Sequence, residues 1–270
     1  MSQIRVAVHG VLGKMGQEVL RAVCHDADLQ AVGAVDIRAQ GDAFPLPDGT
    51  GSIPLSADLD SIITSSSPDV LVDFSTASAT MPAVRTAVGR GVRMVIGTTG
   101  LSQANQDEIR ELCASRGVGA VVAANFSLAA AIMVHACRTA ARFFDYADII
   151  EMHHEQKLDA PSGTALATAR AMVDSRGGAF SYPKRSGGEM AASRGSEYEG
   201  IAIHSVRMPG LLAHQQVTLG APGQTLTVRL DQISREAFMP SVVLASKRVM
   251  ELKEAVFGLE RILGLQEEQC

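Results

Sequence analysis

The chain reads as an α/β protein in two parts, and three observations predict it. Five short apolar segments alternate with helix-patterned segments over roughly the first 125 residues, which predicts a parallel sheet with helices on both faces. A glycine-rich turn, Gly10-Val11-Leu12-Gly13-Lys14-Met15-Gly16, stands at the first strand-to-helix junction. Beyond residue 128 the alternation gives way to a long helix and then to strands at hairpin spacing. That change predicts a second, α+β unit built on a mixed open sheet.

Taken in order, Ile4–His9 (IRVAVH) is a buried strand closed by Gly10, and a helix follows from Met15 to about His25. Leu29–Asp36 is the second strand. Residues 38–56 are rich in Gly, Pro and Asp and read as loop with at most short pieces of order. Asp58–Thr64 is a short helix, Val70–Phe74 the third strand and Thr80–Gly89 its helix. Val92–Ile96 is the fourth strand, Gln103–Arg116 a helix and Gly119–Ala124 the fifth strand, each crossover being right-handed. Leu128–Phe144 is then a long helix, Asp148–His154 a strand and Gly163–Asp174 a helix. Residues 175–199 are polar and Gly/Ser-rich and read either as a lid or as a solvated excursion. Gly200–Arg207 is a strand, and Ala213–Leu219 with Thr225–Asp231 forms a hairpin across GAPG. Pro240–Glu254 is helical and is expected to return to the first part. The expected domains are therefore 1–127 with 240–270, and 128–239.

Composition narrows the function. Of 270 residues, 46% are hydrophobic and 20% charged, which supports a packed core and argues against disorder, collagen repeats and coiled coils. Aromatic content is 4% with no Trp, and net charge is −5, so neither base stacking nor broad phosphate contact with nucleic acid is expected. The longest apolar run, around Leu128–Val134, is too short for a bilayer span, and Met1-Ser2-Gln3-Ile4-Arg5 enters the first strand without an apolar leader. No membrane association and a cytoplasmic location are the expectation. Cys24, Cys113, Cys137 and Cys270 show no CxxC spacing and read as isolated reduced thiols.

The turn at 10–16 carries the first chemical signal. Glycines let the backbone approach a pyrophosphate, and the N–H groups at the following helix start favour the anion. Asp36 ends the second strand 20 residues after Gly16, where an acid accepts ribose hydroxyls. This predicts a Rossmann-like dinucleotide-binding domain. Asp36 suits the 2′-hydroxyl of NAD, whereas Arg38 either partners the 2′-phosphate of NADP or is a solvated surface charge. Ligands of open α/β sheets sit outside the carboxyl ends of the strands. There the sequence places Phe74-Ser75-Thr76, Gly97-Thr98-Thr99-Gly100 and Ala123-Ala124-Asn125-Phe126-Ser127. Asn125 offers both donor and acceptor, which suits a carboxamide.

The second signal is Glu151-Met152-His153-His154-Glu155-Gln156-Lys157-Leu158-Asp159-Ala160-Pro161-Ser162-Gly163-Thr164-Ala165. Pro and Ser mark a helix start, and the N–H groups of Ser162, Gly163 and Thr164 would bind a carboxylate. His and Lys both donate protons when their surroundings tune them. On a strand, His153 and His154 point to opposite faces, and no Cys or third His stands at ligand spacing, so no metal site is expected. A dianionic ligand would need local positive charge to outweigh the acidic average, from Lys157, the helix start and Arg207.

GVLGKMG at 10–16, GTTG at 97–100, AANFS at 123–127 and EMHHEQKLDAPSGTA at 151–165 resemble the 4-hydroxy-tetrahydrodipicolinate reductase (dihydrodipicolinate reductase) family of lysine biosynthesis. GIAIHSVR at 200–207 and GQTLTVRLD at 223–231 extend the resemblance over essentially the whole chain. The resemblance implies an N-terminal dinucleotide-binding domain completed by C-terminal helices, and a central domain for substrate binding and assembly into homotetramers. It implies NADH- or NADPH-dependent reduction of a cyclic dicarboxylate with loss of water, in the diaminopimelate route. By motif, His153 would be the proton donor/acceptor and Lys157 a proton donor. His154, Gly163 and Thr164 would hold substrate carboxylates, with Ser162 assisting. Gly10, Val11, Leu12, Gly13, Lys14, Met15, Asp36, Gly97, Thr98, Thr99, Ala123, Ala124, Asn125 and Phe126 would line the cofactor. The family often carries Glu-Arg at the ribose position, where this chain has Asp36 and, two residues on, Arg38. Two rivals are another two-domain nicotinamide dehydrogenase, acting on a sugar or amino acid, and a non-catalytic dinucleotide sensor.

Overall fold

The structure, a computed structural model, describes residues 2–182 and 191–265. The chain forms two compact units: residues up to Leu128 together with the segment from Arg235 onward, and Ala129–Ser234.

The first unit begins β1 (Ile4–His9), α1 (Lys14–His25), β2 (Leu29–Val35), β3 (Ala43–Pro45), β4 (Ser52–Ser56), α2 (Leu59–Ser66) and β5 (Val70–Asp73). It continues α3 (Ala77–Gly89), β6 (Arg93–Ile96), α4 (Gln103–Arg116) and β7 (Ala120–Val122). Then come the elements of the second unit: α5 (Leu128–Ala141), β8 (Tyr146–His153), α6 (Gly163–Arg176), β9 (Ser196–Tyr198), β10 (Ile201–Arg207), β11 (Ala213–Ala221) and β12 (Gln224–Gln232). The chain returns to the first unit with α7 (Met239–Arg248) and β13 (Ala255–Phe257).

Among the described residues the first unit holds an eight-stranded sheet in the order β13-β7-β6-β5-β1-β2-β4-β3. Neighbours are parallel except β3 with β4. The central strands are apolar on both faces, with Val6, Ala7, Val8, Val70, Leu71, Val72, Met94, Val95 and Ile96 fully buried. That is what a parallel sheet covered on both sides requires. α1 buries Gly16, Val19, Leu20 and Val23, one stripe at helical spacing. From β1 the chain runs outward to β2 on one side and to β5, β6 and β7 on the other. The order thus reverses beside β1, and a crevice opens at the carboxyl ends of β1 and β5.

The second unit carries a five-stranded sheet, β12-β11-β8-β10-β9, in which only β8 and β10 run parallel. Met133 and Cys137 of α5 and Ala165, Ala169 and Met172 of α6 pack with Ile149, Ile201, Ile203, Val217 and Leu219 of the sheet. Period-two alternation turns the other residues of β8 away from this core, which leaves Tyr146, Asp148, Ile150 and Met152 only partly covered. Arg176 secures the α6 end through Phe144 O and a 2.9 Å ion pair with Asp145.

Expectations for three stretches are sharpened or corrected. The 38–56 stretch, read as loop with short pieces of order, contains two such pieces, β3 and β4, and β4 extends the parallel sheet beside β2. Its apolar signal is two residues, Ile53 and Leu55, both buried and alternating with the more exposed Ser52, Pro54 and Ser56. Part of 175–199 is ordered structure, since β9 pairs antiparallel with β10, while 183–190 lies outside the described residues. The final helix is shorter than expected: α7 ends at Arg248, and β13 follows as an unanticipated strand parallel to β7.

Candidate active site

In the first unit, β1 leads straight into Gly10, whose φ of +80° is a left-handed conformation that L side chains rarely adopt. α1 then starts at Lys14 with Gly13 as N-cap and no side chain capping its first turn. Its leading N–H groups are therefore available to a ligand. A Cβ at Gly16 would stand 2.2 Å from Gly10 O and 2.7 Å from the Val11 Cα. Helix and turn are in direct backbone contact.

Asp36, buried just past β2, is tied to this turn. It accepts the Leu12 N–H at 3.0 Å on one oxygen and the Arg38 N–H at 3.0 Å on the other. Burial pushes its carboxyl up, but the Arg38 side chain and these N–H groups outweigh that and hold it below the usual range. The Arg38 guanidinium folds back at 3.2 Å while its side chain stays 65% exposed.

Beside the turn lies a cleft of about 270 Å³ bordered by Met15, Gly97, Thr98, Thr99, Asn125 and Phe126. Phe74, Ser75 and Ala124 complete it from the strand ends, and Phe238 comes from the returning C-terminal segment. Phe74 and Phe126 form a tilted ring pair with centroids 5.8 Å apart. Asn125 Oδ1 takes the Ser127 N–H at 2.9 Å, which turns its amide NH₂ into the group available for a ligand carbonyl. Ala123 borders an adjoining cleft of about 310 Å³ that shares Thr98, Thr99, Ala124 and Asn125. These residues therefore converge on one strand edge, as the sequence motifs require.

Beneath the cleft sits a carboxylate that sequence reasoning did not single out. Asp73 is fully buried at the end of β5 and accepts Ser75 Oγ at 2.6 Å, Thr80 Oγ1 at 2.5 Å and Thr98 Oγ1 at 3.0 Å. The His9 Nδ1 lies 2.9 Å from it. Burial would raise its pKa, but His9, Ser75 and Thr80 keep it below the usual range. It thereby cross-links the ends of β1, β5 and β6 under the cleft wall.

In the second unit the motif at 151–165 runs from the end of β8 through a loop into α6. Glu151 and His153, two apart on a strand, share a face, and Arg207 stands opposite His153 on β10. Four hydrogen bonds reach the fully buried Glu151, from His153 Nδ1 at 2.5 Å, Arg207 Nη1 at 2.9 Å, Arg207 Nη2 at 2.8 Å and the Ser162 N–H at 3.2 Å, and the Ser205 hydroxyl, opposite it on β10, adds a further stabilising contact. Burial alone would raise its pKa; His153 and Arg207 more than offset this and bring it to about 2. Its stabilising charge is thus complete above the ordinary carboxylate range and lost as pH falls through about 2.

Arg207 also donates to the backbone oxygens of Lys157 at 3.3 Å and Asp159 at 2.6 Å, so it clamps the loop as well. This corrects one expectation: Arg207 is neutralised by Glu151 and is not free positive charge for a ligand. Ser162 is likewise engaged, since its N–H goes to Glu151 and its hydroxyl caps the Ala165 N–H at 3.2 Å. Gly163 is exposed with open space beside its Cα. Lys157 pairs with Asp159 at 2.8 Å. The Lys157 ammonium, helped by the Gly163 N–H, holds the Asp159 carboxyl below its usual range. His154 follows the strand end, and its carbonyl accepts the Lys157 N–H at 3.2 Å. Glu151 was the functional candidate missed in this unit, and with it the pairing that occupies Arg207; the Glu-x-His spacing on a strand was the signal available.

A doubly wound sheet with an uncapped glycine turn, joined to a unit carrying a His–carboxylate–Lys cluster, defines a two-unit oxidoreductase of the nicotinamide-dinucleotide class. Comparison with known proteins narrows this. The family model for dihydrodipicolinate reductase, N-terminus, matches residues 4–126, and that for dihydrodipicolinate reductase, C-terminus, matches 129–263. A 4-hydroxy-tetrahydrodipicolinate reductase from Dehalococcoides mccartyi is 54% identical, covering 98% of this chain and 100% of that protein. A dipicolinate-bound dihydrodipicolinate reductase from Paenisporosarcina sp. superposes with a TM-score of 0.87 at 38% identity, over 96% of this chain and 99% of that one. An amine dehydrogenase from Mycobacterium smegmatis, at 17% identity, TM-score 0.68 and 96% coverage of both chains, shares the fold alone. The chain belongs to the dihydrodipicolinate reductase family.

Proposed function

We propose that this chain reduces 4-hydroxy-tetrahydrodipicolinate to tetrahydrodipicolinate with loss of water, using NADH or NADPH, in the diaminopimelate route to lysine. The observation that carries this is the 151–165 segment. It sets one imidazole, one ammonium and a helix start around a surface suited to carboxylates, in a chain matching the reductases over its full length.

Gly10, Val11, Leu12, Gly13, Lys14 and Met15 hold the pyrophosphate, Asp36 accepts ribose hydroxyls, and Gly97, Thr98, Thr99, Ala123, Ala124, Asn125 and Phe126 seat the nicotinamide end. The bound nicotinamide supplies the hydride. His153 gives and takes the proton, Lys157 donates a proton, and His154, Gly163 and Thr164 hold the substrate carboxylates. Ser162 assists by fixing the start of α6. Residues 1–127 with 240–270 form the dinucleotide domain, and 128–239 the substrate and assembly domain. The partly covered face of the five-stranded sheet supports assembly into a homotetramer. The free thiols of Cys24, Cys113 and Cys137 suit the reducing cytoplasm. No described helix is long and apolar enough to cross a membrane.

The test is nicotinamide oxidation with substrate made in situ by a synthase from pyruvate and aspartate semialdehyde, NADH and NADPH side by side. Turnover dependent on the synthase supports the proposal. Binding of both coenzymes without turnover would favour a sensor, and rapid sugar or amino-acid oxidation another dehydrogenase.

Asp159 gives a second prediction. Its carboxylate rests on the Lys157 ammonium and also draws on the Gly163 N–H that a substrate carboxylate would engage, so the two anions compete. Asp159→Asn should lower KM for the substrate by about 2–5-fold, the scale of an exposed ion pair, with little change in kcat. Steady-state kinetics decide: a raised KM would mean that Asp159 holds Lys157 in place instead.

A further inference from the structure

We propose that Glu151 is a positioning residue that fixes the tautomer and orientation of His153, with Arg207 as the counter-charge that holds Glu151 in place. The inference rests on the acid–base role given to His153 above. Its basis is the four-bond arrangement around one buried carboxylate. Oε1 takes the Ser162 N–H and Arg207 Nη2, and Oε2 takes Arg207 Nη1 and His153 Nδ1.

An ionised carboxylate is acceptor-only, so its presence at 2.5 Å makes Nδ1 of His153 the protonated nitrogen. Nε2 is then the nitrogen that exchanges a proton with substrate. While His153 is an imidazolium, Nε2–H donates. Once it has given up that proton, the ring keeps Nδ1–H and Nε2 is left as the base that is refilled from solvent. Arg207 does more than neutralise, because its bonds to the Lys157 and Asp159 carbonyls fix the loop that carries Lys157 relative to the same carboxylate. Proton donor and loop are thereby referred to one buried point.

A glutamine in place of Glu151 has one oxygen and an NH₂. The NH₂ would face a donor, either His153 Nδ1–H or one arm of the Arg207–Ser162 set, so the shape is kept and the acceptor pattern broken. Glu151→Gln should lower kcat by at least about 10-fold, within the range an oriented acid–base group supplies, while substrate KM and coenzyme Kd change by less than about 2-fold. The ¹⁵N spectrum of the His153 ring, assigned by difference from His153→Asn, should lose its Nδ1–H signature in the Glu151→Gln protein.

Glu151→Gln strands Arg207, a part-buried charge left without its partner, which destabilises the fold on its own account. The double variant Glu151→Gln/Arg207→Met removes both charges and separates the cases. A folded double variant with kcat still low and the Nδ1–H signature absent supports the proposal. Restored kcat in the double variant would overturn it, because Glu151 would then merely balance Arg207. Wild-type kcat in Glu151→Gln would also overturn it. Should His153→Asn itself retain full turnover, the acid–base role of His153 fails. A dead His153→Asn beside a normal Glu151→Gln sinks the positioning role alone.

Discussion

Lys157→Ala and His153→Ala should each lower kcat by about 10²–10⁴-fold, the range contributed by a positioned acid or base, and leave NADH and NADPH affinity nearly unchanged. The separation follows from where the groups sit. Both belong to the unit spanning Ala129–Ser234, whereas the glycine turn, Asp36 and the Thr98–Asn125 cleft are built by the other unit. Single-turnover rates with coenzyme Kd from fluorescence titration make the measurement. Loss confined to KM would reassign the residue from proton transfer to binding. Unchanged turnover in both variants would remove the catalytic assignment altogether. Lys157 is the sharper case, because its 2.8 Å contact with Asp159 allows a structural reading that Lys157→Arg tests: a merely structural cation is replaced there with little loss.

Gly16→Ala should abolish tight coenzyme binding and destabilise the protein. The added methyl would have to occupy space 2.2 Å from Gly10 O and 2.7 Å from the Val11 Cα, and both of those atoms belong to backbone, so neither can swing aside. Relief requires α1 to draw back from the turn, which costs about 1–3 kcal/mol as overpacking and widens the pyrophosphate cradle as well. We expect coenzyme Kd to rise by at least about 10-fold and the melting temperature to fall by several degrees. Gly89→Ala is the matched control. Gly89 is the last residue of α3, a Cβ there meets nothing within 4 Å, and alanine is the better helix former. Equal tolerance of both substitutions would show that the close approach at Gly16 is not what shapes the turn.

The division between what was legible in the sequence and what was not follows the range of the interactions. Segments with a long apolar run or a local punctuation mark were readable: β1 before Gly10, α4 between its Ser102 cap and Gly117, and α6 after Ser162. β4 and β13 were not, since each is short and is a strand because a neighbour, β2 or β7, offers it an edge. The candidate site divides the same way. The turn at 10–16 and the 151–165 segment are local in sequence and announce themselves. The environment of Glu151 depends on Arg207, 56 residues away, and that of Asp73 on Thr98, 25 residues away. Such satisfaction of buried charge is tertiary. It explains how Arg207, counted as free positive charge from sequence, proves to be neutralised.

The returning C-terminal segment sets an order of events during synthesis. The unit Ala129–Ser234 is continuous in sequence, so all of its strands and both of its helices have left the ribosome before the dinucleotide unit is complete. Until Ala255–Phe257 emerges, β7 is an open edge of buried-type residues, Ala120, Val121 and Val122, and Phe238 has not long joined the coenzyme cleft. An unprotected apolar edge is a template for pairing with another chain. From the completion of β7 until β13 is made, the nascent chain therefore carries this open edge, and β13 is the strand that closes it.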